Sequence, residues 1–420
     1  MTTPSMARHA SGRGASHRRH TPRRTLSAVF DPNANALGSL RLVFAVLVLV
    51  SHTFPLGGFN HGTEPSWAWT KGQQDIGGFA VAGFFVLSGF LVTRSFVSSS
   101  TSVRYLWKRV LRIFPGYWAC LVATVVLFGP LAFLHEHGTL HGYLDGYPDS
   151  PLRYLTGNAW LWIHQYPIDN LLGKNPLPHA FDGSLWTLIY EFKCYLAVMV
   201  LGIFGILQRG KWIVLCMAAF LWFSNIEAFY HPAWIKSVIP AFSDVELPFL
   251  TSMFALGVVI YLFRDRIVIS RAWALVAAIT FFVSLRFGWF NVVGEPAFAY
   301  LCFWVAVRPR LPKLDRYGDF SYGMYVYAYL VQQMATMYGV NRWGFVPYLL
   351  ICFAASMLCA VASWFLVERT FLRLKALRLP TLWRAPAWWA NKIQGKPAAT
   401  APRRVPAQVA PATKSVPAGD

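Results

Sequence analysis

The chain has 420 residues, of which 55% are hydrophobic and only 13% charged, with a mean hydropathy of +0.41. That balance lies far from the soluble globular average and excludes a water-soluble main body. The net charge of +20 invites a nucleic-acid partner, but thirty of the 38 Lys and Arg residues fall in the tails and in alternate loops between apolar segments. Positive-inside topology produces that partition, so nucleic acid is excluded as a partner and anionic membrane lipid is expected.

The apolar segments predict an all-α, polytopic membrane protein of about ten transmembrane helices, near residues 37–56, 76–96, 113–134, 184–206, 211–228, 247–264, 270–286, 290–307, 320–339 and 346–368. The opposite loops hold only Lys71, Arg153, Lys174, Lys236, Arg286 and Arg342. An even number of spans with both termini cytoplasmic gives this alternation, in a plasma (inner) membrane. Residues 1–36 and 371–420 read as basic tails without periodicity, flanking a membrane domain over 37–370. No cleavable signal pattern precedes the first span, which is expected to be retained.

Arg41 and His52 lie in that first span, where ionisable groups are expensive and usually functional. Eleven residues apart on a helix, they share one face at depths ~16 Å apart. A guanidinium holds a phosphate near one surface, and an imidazole moves a proton deeper in. Snorkelling of Arg41 and an interhelical hydrogen bond from His52 account for the same pair.

In the second span Gly83, Ser88 and Gly89 are small enough for a helix or a thin ligand to approach the backbone. The stretch RYLWKRVLRIFPGYW that follows places Lys108, Arg109 and Arg112 near the headgroups, as a phosphate grip or as a positive-inside anchor. Within HEHGTLH, His137 and His141 have tolerable zinc spacing but no third ligand, and no metal is expected. The loop over 135–183 is the longest between spans, faces outward under this topology, and carries Trp160, Trp162 and Tyr166, suited to stacking on a sugar or to an interfacial belt. All six cysteines fall in apolar spans without a CxxC pair, which excludes a disulfide framework. Span four opens DGSLWTLIYEFKCYL and puts Glu191 about two turns in, at a depth where it meets and orients His52. An interhelical pair of Glu191 with Lys or Arg is the alternative, and Lys193 points elsewhere.

Four patterns together resemble the integral-membrane acyltransferase 3 family, which moves acyl groups, commonly acetyl, onto envelope carbohydrates and some secondary metabolites. They are Arg41 with His52, FFVLSGF at 84–90, KRVLRIFP at 108–115 and GSLWTLIYE at 183–191, spread through residues 36–370. The resemblance implies an acyl-CoA donor handled from the cytoplasmic side, His52 as the central catalytic residue, and Arg41 with the Arg109/Arg112 cluster in donor handling. Many carbohydrate-acetylating members carry a His after a Ser-Tyr pair in the penultimate span, where this chain has Ala328. Residues after 380 are too few and too polar for an appended esterase-like domain.

The resulting expectation is a membrane O-acyltransferase with no bound cofactor and acyl-CoA (acetyl-CoA) as co-substrate. Its acceptor is a hydroxyl of a carbohydrate or lipid-linked glycan. His52 acts as general base or as a transiently acylated nucleophile, held by Glu191. Arg41, Ser88, Lys108, Arg109 and Arg112 bind the donor and Trp186 the acceptor. A transporter or flippase of envelope precursors and a non-catalytic envelope-assembly partner are the rival classes; no convincing inverted repeat supports the former.

Overall fold

The computed structural model describes residues 24–146, 148–243, 246–308 and 318–377. Helices α1 (Leu37–Gly57), α2 (Ile76–Val97), α3 (Ser102–His137), α4 (Gly183–Ile203), α5 (Lys211–Tyr230), α6 (Glu246–Leu262), α7 (Arg271–Phe287), α8 (Phe290–Ala306), α9 (Ser321–Met337) and α10 (Phe345–Ala376) carry the fold. Among the described residues there is no strand, only an isolated bridge between Thr25 and Val268. The expected all-helical class holds. The expected count of ten spans is not confirmed: among the described residues α1, α2, α3, α4, α5 and α10 are long and apolar enough to cross a membrane by themselves, while α6 and α8 are shorter apolar helices.

The central packing runs α6–α2–α1–α9–α10. Helices α2 and α6 touch backbone to backbone through reciprocal glycines. A Cβ on Gly89 would stand 2.1 Å from the Phe254 carbonyl oxygen, and one on Gly257 would stand 2.0 Å from that of Val86. Small residues are what allow helices to approach so closely. Helix α9 is buried almost throughout, as befits a helix surrounded by others. Peripheral faces instead expose large apolar side chains such as Phe220, Phe282 and Leu358, the surface lipid would cover.

Local signals set the helix ends that matter to the site. Asp75 caps α2 by accepting from the Gly78 N–H, Thr101 caps α3 through Arg104 N, and α1 stops at Gly58 with φ +74°. Pro55 leaves the Ser51 carbonyl without its helical donor. The end of α1 is fixed laterally by α9: Gln332 donates to Leu49 O at 2.9 Å and to Thr53 Oγ1 at 3.0 Å, and Thr336 donates to Leu56 O at 2.9 Å. His52 sits between these ties.

The long segment before α4 is anchored by a buried carboxylate. Asp182 accepts from Thr124 Oγ1 and Tyr154 OH, both at 2.7 Å, and from Cys120 Sγ at 3.6 Å. Residues 24–36, expected within a free tail, are partly docked: Leu26 is fully buried and its N–H donates to Ile267 O at 2.8 Å. The tail expectations for residues 1–23 and 378–420 fall outside the described residues.

Candidate active site

Two cavities enter the bundle from opposite ends. A basic cavity of about 400 Å³ lies among α1, α2, α3, α4 and α9, and receives Arg41, Arg109, Arg112 and Lys375. Asp319 organises its mouth. One oxygen, Oδ2, accepts from Arg41 Nη1 at 2.8 Å and from Arg112 Nη2 at 2.6 Å, while Oδ1 accepts from Ser321. Burial pushes this carboxyl up, but Arg112 and Arg41 outweigh it and hold it well below the usual carboxylate range. Two guanidiniums on one carboxylate leave a net positive charge facing the cavity, the arrangement that recognises phosphate. Arg109 completes the group: it donates to Ser95 Oγ at 3.2 Å, lies against the Tyr105 and Tyr195 rings, and keeps its Nε buried without a partner.

Lys108, expected with the donor-binding arginines, does not line the cavity. Its ammonium donates to Ser99 Oγ at 3.2 Å, and it is Arg109 and Arg112 that line the cavity. Ser88 is in the cavity as expected, donating to Glu191 Oε1 at 2.8 Å.

The second cavity, of about 300 Å³, contains His52 and Trp186. The imidazole stands edge-on to the Tyr329 ring at 5.4 Å. Its Nδ1 is sealed from solvent without a hydrogen-bond partner, which leaves Nε2 as the nitrogen toward the cavity.

The expected pairing of Glu191 with His52 is also corrected. Glu191 belongs to the basic cavity, where Ser88 and Tyr195 satisfy it; Ser88 lies twelve residues into α2, deep in the bundle, whereas His52 is five residues from the end of α1. Glu64 is the carboxylate tied to α1 beside His52, through the preceding residue Ser51. It is buried between α1 and α2 and accepts from Ser51 Oγ at 2.6 Å, from Ser66 and from the Ile76 N–H at 3.0 Å. Sequence reasoning missed Glu64 and Asp319; each had one visible signal, as the single Glu between α1 and α2 and as the carboxylate just before the Ser-Tyr pair of α9.

Val81, Thr187 and Tyr325 line both cavities. The Tyr325 hydroxyl donates to Ser184 O at 2.8 Å and meets Thr187 Oγ1, so the partition is hydrogen-bonded and not a loose contact. On the His52 side, Trp186 and Glu246 also face a shallow aromatic cleft with Trp162, Tyr166 and Tyr190.

An acyltransferase domain profile, that of acyltransferase 3, matches residues 35–365, which takes in both cavities. The chain belongs to the acyltransferase 3 family. An O-acetyl transferase of Shigella phage Sf6 is 28% identical over 82% of this chain and 98% of its own length. Nodulation protein 10 of Rhizobium leguminosarum bv. viciae is 27% identical over 81% of this chain and 94% of its own. A putative acetyltransferase, ORF330, of Acidianus two-tailed virus is 22% identical over 63% and 76%. No solved structure matches. This acyltransferase is therefore an enzyme with the membrane character that its apolar helices display.

Proposed function

We propose that this acyltransferase moves an acyl group, specifically acetyl, from cytoplasmic acyl-CoA to a hydroxyl of a carbohydrate or lipid-linked glycan on the opposite side of a plasma membrane. The chain crosses the bilayer ten times with both termini cytoplasmic, α6 to α9 spanning as short helices within the bundle. The observation that carries the reading is the pair of cavities sharing Val81, Thr187 and Tyr325, basic at one mouth and holding His52 in the other.

Arg41, Arg109 and Arg112 hold the donor phosphates, and Ser88 with Glu191 lines the path of the flexible arm. The thioester reaches the partition. On its far side His52 Nε2 takes the proton of the acceptor hydroxyl as the oxygen attacks the thioester carbonyl. The C–S bond breaks, an ester forms, and the imidazolium returns the proton to the leaving thiolate. Glu64, held by the neighbouring Ser51, places a negative charge near the imidazolium while it exists. The aromatic cleft beside Trp186 offers ring faces on which a sugar stacks.

The test is purified full-length protein in nanodiscs with acetyl-CoA labelled on the acetyl group. Thiol release with label recovered as ester, lost in His52→Ala, supports the reading. Label that stays entirely in acetyl-CoA overturns it.

A further inference from the structure

Glu295 of α8 is fully buried in the bundle, and no cation is paired with it among the described residues. Its Oε1 accepts from Asn225 Nδ2 at 2.5 Å and its Oε2 from Ser252 Oγ at 3.3 Å. A carboxyl group left bare at such a site would be costly, and these two hydrogen bonds satisfy it. The donors come from α5 and α6, and the three helices are tied at one point.

Asn225 is itself almost fully buried, yet it forms part of the wall of the His52 cavity. Asn225 Nδ2 is the atom that donates to Glu295 Oε1, so the amide is turned with its NH2 toward the carboxyl group. Its Oδ1 has no protein donor and is not among the sealed, unpartnered atoms, which leaves it open to the cavity. The wall around it is stiff. Asn291 lines the same cavity, its carbonyl accepting from Trp222 Nε1 at 2.9 Å; Gln73 accepts from Phe290 N at 2.7 Å and donates to Leu285 O at 2.8 Å.

We propose that Asn225 Oδ1 binds a non-reacting hydroxyl of the acceptor in the His52 cavity, with Glu295 as the positioning residue that fixes the amide. This rests on the acyl-transfer reading and deepens it. A fixed carbonyl accepts from a hydroxyl and cannot accept from an alkyl chain, so the site discriminates for an acceptor bearing a second hydroxyl near the one that reacts.

The experiment uses full-length protein in nanodiscs, labelled acetyl-CoA, and three probe acceptors: methyl α-D-glucopyranoside, methyl α-D-mannopyranoside and 1-octanol. Asn225→Ala is expected to raise KM for the glycosides about tenfold or more, the loss falling on KM and not on kcat, as removal of a binding hydrogen bond does. Glu295→Gln is expected to raise it less, roughly threefold, because the amide beside Asn225 is loosened and not removed. Should Asn225→Ala fail to insert, Asn225→Ser is read in its place. An unchanged glycoside KM, a fall confined to kcat, preference for 1-octanol, or thiol release to water without glycoside ester would each overturn the assignment of Asn225. Absence of thiol release from the wild-type protein would instead overturn the acyl-transfer reading beneath it.

Discussion

Arg41 and His52 stand on one helix and open on different cavities: the guanidinium shares Asp319 with Arg112, while the imidazole lies against Tyr329 beyond the partition at Tyr325. One rigid element thus fixes the spacing between a phosphate grip and a base. Their substitutions should fail differently. Arg41→Ala should raise donor KM about thirtyfold, equivalent to ~2 kcal/mol for a charge-assisted contact, with a smaller change in kcat. His52→Ala should lower kcat about a hundredfold or more with donor binding kept. Steady-state kinetics and acetyl-CoA binding on both variants decide it, and equal loss of binding in both would refute the division of labour.

Glu64→Gln should lower kcat about tenfold, the equivalent of ~1.4 kcal/mol of lost support for the imidazolium. Donor KM should stay near the wild-type value. Glu191→Gln should do the reverse, because its carboxylate belongs to the basic cavity with Ser88 and Tyr195. The same transfer assay separates them; a dominant kcat effect in Glu191→Gln with none in Glu64→Gln would restore the Glu191–His52 pairing.

Lys108→Gln should leave donor KM within about twofold, while Arg109→Gln and Arg112→Gln raise it about tenfold each. Lys108 is held on Ser99 away from the cavity, and the two arginines line it. A donor titration with all three variants in matched membranes is the measurement.

Asp182 lies outside the spanning segments, and burial raises its pKa from 3.8 to about 6 against the donors Thr124, Tyr154 and Cys120. The folded state therefore binds more protons than the unfolded state between those values. Stability should fall as pH rises from 4 to 6 and level off above, by roughly 3 kcal/mol from this group. Thermal unfolding of the solubilised protein across that range should show a slope that Asp182→Asn removes.

The proposed orientation is checked by cysteine labelling in intact cells. With Cys216, the exposed native thiol, changed to Ser, a cysteine at Asp145 should react with an impermeant reagent and one at Leu377 should not. The opposite pattern would invert the topology and the donor side with it.

The placement of Arg41, Ser88, Arg109, Arg112 and Trp186 was legible because each is set by position along its own helix, and helical periodicity is local. The partners were not. Which carboxylate faces His52 depends on how far α2 and α4 slide past α1, and nothing in 3.6-residue periodicity carries that offset. Glu191 therefore stands with Ser88 and Tyr195, and Glu64 with Ser51 beside His52. The helical class was readable from apolar runs, but α7 and α9 have 17 residues each, and membrane crossing by such lengths depends on neighbours and tilt, so the count of spans was not. Asp319 was hidden for another reason: a carboxylate beside a span reads as ordinary loop polarity until two arginines from distant helices arrive on it.

The three side chains common to both cavities also determine where a transmembrane voltage would drop. With hollows reaching in from either end, Val81, Thr187 and Tyr325 stand between them. An elementary charge crossing a full membrane potential does work of ~2.3 kcal/mol per 100 mV, whereas an uncharged acyl group does none. A carrier whose phosphates stay anchored on Arg41 and Arg112 while only its neutral end passes those side chains makes turnover electrically silent. On the proposed mechanism the enzyme should then work at the same rate on an energised membrane as on a depolarised one, with its partition doubling as an insulator.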